Sequence, residues 1–353
     1  MEELVRRGNR VVFLVDKRNT DVENHDSNPA VYTWPSVRPT RLADAIFLRR
    51  LIKQHRPSCL VAAFGSTNVM LTVGWLMGIK TRVVWYLTMA EAISIDGQIG
   101  RWKLIFLKLR KRLIYSLATH VIPNSLAGLQ DVHDVYGVPT NKCNVMYLSL
   151  PTPKLDLKDV ASTHDANRTI CVGRLHPTKG QDVLLKAIAR LKDQFPNAIF
   201  EFVGDGPCRE DCERIAEELA ISDRCRFSGR LPHDEVLRRM ALASVSVVPS
   251  RSECFGLVNI ESMAMGTPVV ASNVGGISEI FSDGIEGFLV PPDDPVLLAD
   301  RLADILANPE LRSTMSGKAM RRFQDFEQQN VVGHQVDWIE GLHSTLSRHD
   351  STQ

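Results

Sequence analysis

The chain has 353 residues, of which 44% are hydrophobic and 24% charged, with a formal net charge of +1. That length suits two domains of ordinary size, each folding around its own core. No run of about 18 apolar residues is present, so no spanning helix is indicated, and the charged opening Met1–Arg10 does not read as a signal peptide.

In chain order, strands are expected at "RVVFLV" (10–15), "CLVAAFG" (59–65), "RVVWYL" (82–87), "THVIP" (119–123) and "KCNVMY" (142–147), with helices between them. The polar stretch "PTPKLDLKDVASTHDAN" (151–167) marks a domain boundary. Beyond it the alternation resumes: strand "TICVG" (169–173), amphipathic helix 180–195, strand "IFEFVG" (199–204), helix 209–219, strand "CRFSG" (225–229), helix 233–242, strand "VSVVPS" (245–250), short helix 257–265, then "PVVAS" (268–272) and "GFLVPP" (287–292). Strands separated by helices imply parallel sheets with helices on both faces. The expected architecture is α/β: two doubly wound, Rossmann-like domains, 1–160 and 161–330, facing a cleft. A tail helix from 331 is free to pack back on the first.

The charge is divided unevenly. Residues 1–155 hold 21 Lys+Arg and 11 Asp+Glu, and the remainder holds 21 and 30, so the halves carry +10 and −9. Such asymmetry suggests different partners for the two domains. Seven cysteines without paired spacing fit reduced thiols of a cytoplasmic protein.

In doubly wound sheets ligands lie beyond the carboxyl ends of the strands. There this sequence places Gly173-Arg174 with Lys179, "GDGP" (204–207, holding Gly204 and Gly206), and "PSRSECFG" (249–256). Arg and Lys at such an edge can neutralise a diphosphate, and a glycine loop opening a helix offers free N–H groups to phosphate. Glu253 and Glu261 frame that loop. A carboxylate can hold vicinal hydroxyls; the plainer alternative is a solvated loop acid and a helix-surface ion pair.

"GRLHPTKGQDVLLKA", "FVGDGP", "FSGRLPHDEV" and "PSRSECFGLVNIESMAMGTPVVASNVGGISEI" together resemble the signatures of the retaining glycosyltransferases of family 4, which have the GT-B fold. The likeness is dense over 169–307 and weaker over 10–150. It implies transfer of a sugar from a UDP- or GDP-sugar to a glycan or lipid-linked saccharide, with no cofactor and no metal. Arg174 and Lys179 would hold the donor diphosphate and, with Glu253 on the sugar hydroxyls, form the catalytic set. Glu261 would hold the ribose. Gly173, Gly204, Gly206, Phe255, Gly256, Leu257 and Val258 would line the donor site, with Gly229 and Arg230 near the base.

Two departures stand out. The family domain opens with a strand and a glycine-rich loop, whereas "MEELVRRGNRVVFLV" reads as the end of a first helix followed by a second strand. A truncated chain or a rearranged N-terminal sheet is expected. Where many members carry a histidine after the third of the strands named above, this chain has Thr88, with Glu91 following. Asn124 and Ser125 are further cleft candidates, and His120 reads as structural.

From Gly97 to Gln130 there is no acidic residue, but Arg101, Lys103, Lys108, Arg110, Lys111 and Arg112 fall within it. Trp102, Ile105, Phe106, Leu109 and Leu113 form one helical face. That helix, 101–115, suits a core on one side and anionic headgroups on the other, placing the protein peripherally on the inner membrane face; a buried helix with snorkelling bases is the alternative. No nucleic-acid module is recognisable. Two competing functions remain open at this level: a nucleotide-sugar epimerase of the same fold, and a truncated, non-catalytic nucleotide-sugar-binding relative. No GxGxxG follows any strand, which argues against a dehydrogenase.

Overall fold

All strand pairings are parallel in the computed structural model, which describes residues 2–16, 23–95, 100–154 and 165–350. In the N-terminal domain β1 (Val12–Val15) pairs with β2 (Ala30–Thr33). Separately, β3 (Cys59–Ala63), β4 (Thr81–Tyr86) and β5 (His120–Pro123) form a three-stranded sheet with β4 central. Parallel neighbours need crossovers: helix Thr67–Leu76 joins β3 to β4 and helix Arg101–Ser116 lies between β4 and β5, while helix Leu42–His55 links the two sheets. Residues 160 and 161, where the domain boundary was expected, lie outside the described residues.

The C-terminal sheet has six strands: β6 (Asp165–Val172), β7 (Ile199–Val203), β8 (Cys225–Gly229), β9 (Ala243–Val248), β10 (Val269–Ser272) and β11 (Gly287–Val290), in the order β11-β10-β9-β6-β7-β8. Both faces are covered, which is why β9 and β10 are buried at every position. One face packs on helices Gln181–Leu191, Arg209–Glu218 and Pro295–Ala307, the other on His233–Leu242, Leu257–Ala264 and Pro309–Phe323. Leu184, Leu185, Ile188, Ile260 and Met263 are wholly buried. Each such side chain contributes about 1.5–3 kcal/mol against exposure. The chain order reverses between β6 and β9, so the crevice of this sheet opens at the ends of those two strands.

Helix Gln328–Asp350 crosses back to the N-terminal domain. Trp338 meets His120 edge-on at 5.7 Å, and Arg7 bonds Asp337 (2.5 Å) and Glu340 (3.0 Å). Where it crosses, Gln328 N–H donates to Leu150 O (2.8 Å) and Leu150 N–H to Phe326 O (3.0 Å).

Three sequence expectations are corrected. Strand β2 lies in "AVYT", which the pattern did not single out. Residues 142–147 form no strand: Asn144 and Met146 donate to Val121 O and Pro123 O, and one bridge links Cys143 to Val121. Helix Arg101–Ser116 sits the other way round. Its stripe Trp102, Ile105, Phe106, Leu109 and Leu113 is exposed, and the inward side carries Leu104, Leu107, Lys111, Ile114 and Tyr115. Periodicity finds an apolar stripe but not which stripe meets the core, and this helix has two.

Candidate active site

Three glycine turns close the carboxyl ends of β6, β7 and β8 and are laced through their main chains. Gly173 N–H donates to Val203 O (2.9 Å), Gly204 N–H to Gly229 O (2.8 Å) and Leu175 N–H to Asp205 O (3.2 Å). Gly204 has φ +134°, and a Cβ there would stand 2.0 Å from Gly173 O, so no other residue fits without moving that turn. The turns leave the Arg174 side chain exposed.

The next segment, Pro177–Lys179, is a single 3₁₀ turn pinned from below. Arg251 reaches Asp182 with two nitrogens (2.8 and 2.7 Å), Asp293 (2.7 Å) and Pro177 O (2.8 Å), while its N–H donates to Thr178 O (2.8 Å). Burial pushes the Asp182 carboxyl up, but the Arg251 bonds outweigh it and the net shift is downward. The Arg251 guanidinium is held more firmly protonated, chiefly by Asp182. This fork-to-carboxylate bonding fixes the turn that carries Lys179. Nothing in the local sequence signals it, because the partners are 69 residues apart.

From β9 the chain brings Ser252, Glu253 and Cys254 to the same edge. Gly276 N–H donates to Glu253 O (3.3 Å), and Gly275, at φ +53°, lies so close that a Cβ would fall 1.7 Å from that oxygen. The Glu253 carboxylate accepts from Lys179 Nζ. Both side chains are partly accessible, Lys179 at 31% and Glu253 at 18%.

A cavity of about 280 Å³ lies over this pair. Leu87, Thr88, Met89 and Ala92 wall it from the N-terminal domain; Arg174, His176, Thr178, Lys179, Ser252, Glu253 and Cys254 wall it from the C-terminal domain. Thus Thr88, Arg174, Lys179 and Glu253 come together as residues of one cleft. His176 is an addition the sequence reading passed over, although it sits inside the "GRLHPTKG" element. Its Nδ1 is 2.9 Å from Thr178 Oγ1 and accepts from Thr178 N–H at 3.4 Å.

The other candidates are elsewhere. Glu261 lies in the second turn of helix Leu257–Ala264, where burial raises its carboxyl pKa; His233 Nδ1 is 3.9 Å away. Leu257 and Val258 open that helix and are half-buried. The Phe255 ring is a core residue stacked on Tyr147 at 5.4 Å, leaving only its main chain for a ligand. Gly256 precedes the helix, and Gly206 and Gly229 stand in the laced turns. Arg230 and Glu91 are exposed, off the cavity wall.

Asn124 and Ser125 are buried where the domains meet rather than open to the cleft. Cys254 Sγ donates to Asn124 Oδ1 (2.8 Å), and Ser125 Oγ donates to Cys254 O (2.6 Å) and accepts from Gly128 N–H (2.9 Å). Across the same seam Glu279 accepts from Leu126 N–H (2.7 Å) and Ala127 N–H (2.9 Å), so a carboxylate of one domain caps helix Leu126–Tyr136 of the other. We expect Glu279→Ala to destabilise the protein by about 1–2 kcal/mol, the scale of a lost helix cap. A denaturant titration with an unchanged midpoint would remove the cap from the account of domain closure.

No three His, Cys, Asp or Glu side chains converge as metal ligands among the described residues. The positive groups at the cavity are Arg174 and Lys179. An edge of cations, glycine turns and a carboxylate can take a diphosphate on one side and a polyhydroxylated group on the other.

Residues 154–322 match the model of glycosyl transferases group 1, and residues 1–152 match that of glycosyltransferase family 4. A D-inositol 3-phosphate glycosyltransferase of Frankia alni is 38% identical over 171 residues, which are 46% of this chain and 42% of that protein. The chain spans about half the length of the curated relatives it matches. Sucrose-phosphate synthase from Thermosynechococcus elongatus superposes with a TM-score of 0.81 at 23% identity, over 98% of this chain and 92% of that one. Anabaena Alr3699/HepE in complex with UDP and glucose gives 0.72 at 20% identity, over 89% and 86%. At such identities the structural likeness concerns the GT-B fold.

Proposed function

Because the chain belongs to the family 4, group 1 glycosyltransferases, we propose that it moves a sugar from a nucleotide-sugar to a glycan or lipid-linked saccharide with retention of anomeric configuration. The observation that carries this reading is the cavity that joins Arg174, Lys179 and Glu253 to an opposing wall from the other domain. The HepE complex, described with UDP and glucose, favours a UDP-sugar among the candidate donors.

Without donor, Lys179 and Glu253 satisfy each other. A diphosphate entering over Lys179 and Arg174 competes for the ammonium and frees the carboxylate to accept hydroxyls of the sugar. The two roles are therefore assigned by one exchange of partners. In the transfer, the bond from the anomeric carbon to the phosphate oxygen breaks, and a bond to the acceptor hydroxyl forms on the same face. The hydroxyl proton passes to the leaving phosphate. Negative charge grows on that phosphate, and the two cations stabilise it in a partly dehydrated cleft. Thr88 can donate a hydrogen bond there but cannot serve as base. No step in this scheme calls for a metal, since the cations supply the charge.

The membrane reading has its own support. Trp102, Phe106, Leu109 and Leu113 are exposed on one helix, with Arg101, Lys103, Arg110 and Arg112 exposed beside them. Among the described residues no helix is long and apolar enough to cross a membrane, so this helix would lie in the interface.

Calorimetric titration with UDP, GDP and ADP in EDTA tests the donor site. We expect one nucleotide to bind without metal, and Glu261→Ala to abolish or strongly weaken that binding by removing the ribose contact. Binding only after a divalent ion is restored overturns the metal-independent reading, and no binding by folded protein overturns the donor site.

A further inference from the structure

The acceptor-side wall is a loop, Leu87–Ala92, leaving the end of β4. It has to hold Thr88 and Met89 in place opposite the donor domain. What anchors it is a carboxylate from another element. Ala90 is buried, and its N–H donates to Asp131 Oδ2 at 2.7 Å; the same oxygen accepts from Tyr86 OH at the last residue of β4.

The surroundings are unusual for a carboxylate. Tyr86, Tyr115 and Tyr136 pack edge to face, with centroids 6.2, 6.2 and 5.3 Å apart. Lys111 Nζ stands over all three rings at 5.9, 5.8 and 4.9 Å and lies 3.4 Å from Tyr136 OH. Burial lowers the Lys111 ammonium pKa, an effect the Asp131 charge opposes, and burial pushes the Tyr136 phenol up to about 12. Asp131 and Lys111 are half-buried, and ions withdrawn from water are costly unless paired and hydrogen-bonded. The carboxylate adds what an apolar core lacks, a directed bond to the main chain of the loop.

We infer that Asp131, steadied by the Lys111–tyrosine cage, is the positioning residue of the acceptor-side wall. It acts through Ala90 N–H to set the place of Thr88 and Met89. The inference rests on the glycosyl-transfer reading for what the wall faces, but not for the anchoring itself.

Amide hydrogen exchange on the full chain tests it, with UDP titration alongside. In Asp131→Ala, exchange at residues 88–90 is expected to quicken by roughly tenfold or more, while β6 keeps its native protection. Asp131→Asn, which retains an acceptor oxygen, should recover much of the protection, and Tyr86→Phe should leave the loop close to native. Native exchange at 88–90 in Asp131→Ala overturns the inference. So does a loss spread evenly over β3, β4 and β5, which would make Asp131 a general core residue. If Asp131→Ala does not fold, Asp131→Leu, of similar size and with no acceptor oxygen, decides: several-fold faster exchange at Ala90 supports the anchor, and native exchange overturns it. UDP affinity should stay within a few-fold of native in every variant, because Arg174 and Lys179 stand on the other domain. Failure of the native protein to bind any nucleotide would remove the functional reading and leave the anchor standing.

Discussion

Arg174→Ala and Lys179→Ala should each lower turnover by about two to three orders of magnitude, or about 3–4 kcal/mol of transition-state stabilisation. The reason is the location of the charge. Phosphate negativity rises as the sugar departs, and these two side chains are the cations at the cavity wall. The two variants should nonetheless differ. Removing Arg174 deletes one charge. Removing Lys179 also unpairs Glu253, leaving a carboxylate beside the incoming diphosphate. Donor affinity should therefore fall further in Lys179→Ala than in Arg174→Ala. Adding Glu253→Gln to Lys179→Ala should recover part of the affinity and none of the turnover. With Glu253→Gln alone as the fourth corner, steady-state rates and separately measured nucleotide binding make this a double-mutant cycle. Near-native turnover in either single variant would remove that residue from the catalytic set.

The C-terminal domain was legible because its physics is local. Burial on both faces makes β9 and β10 runs rich in valine, and the glycines at the ends of β6, β7 and β8 mark turns. Helix His233–Leu242 starts and stops where the pattern placed it. What escaped were bonds between distant segments. Arg251 gripping Asp182, Glu279 capping a helix of the other domain, and Asp131 holding Ala90 have no periodicity to betray them. The N-terminal sheet was harder for another reason. Strand β2, "AVYT", offers a single apolar β-branched residue between polar flanks, unlike the equally short β1, "VFLV". The inner face of Arg101–Ser116 accepts a lysine, since aromatic rings can solvate an ammonium, and this disguised it as an outer face.

That reversal sharpens the membrane prediction. Lys111 is turned into the tyrosine cage and does not belong among the lipid-facing charges, whereas Lys103, Arg110 and Arg112 are exposed next to Trp102, Phe106, Leu109 and Leu113. A basic side chain near an anionic surface is worth about 1 kcal/mol. Changing Lys103, Arg110 and Arg112 together to Glu should thus weaken binding to phosphatidylserine-containing vesicles by at least roughly a hundredfold. The apolar contribution is separable. Trp102 is 82% exposed and Phe106 63%, so Trp102→Ala with Phe106→Ala should weaken binding to neutral and anionic vesicles alike, because burying apolar area does not depend on headgroup charge. Salt should diminish the first effect and spare the second. Vesicle co-sedimentation measures both. If the triple reversal binds anionic vesicles as the native chain does, the basic face is merely solvated. If only the aromatic pair matters, the exposed stripe is the surface for an apolar partner and the bases are incidental to it.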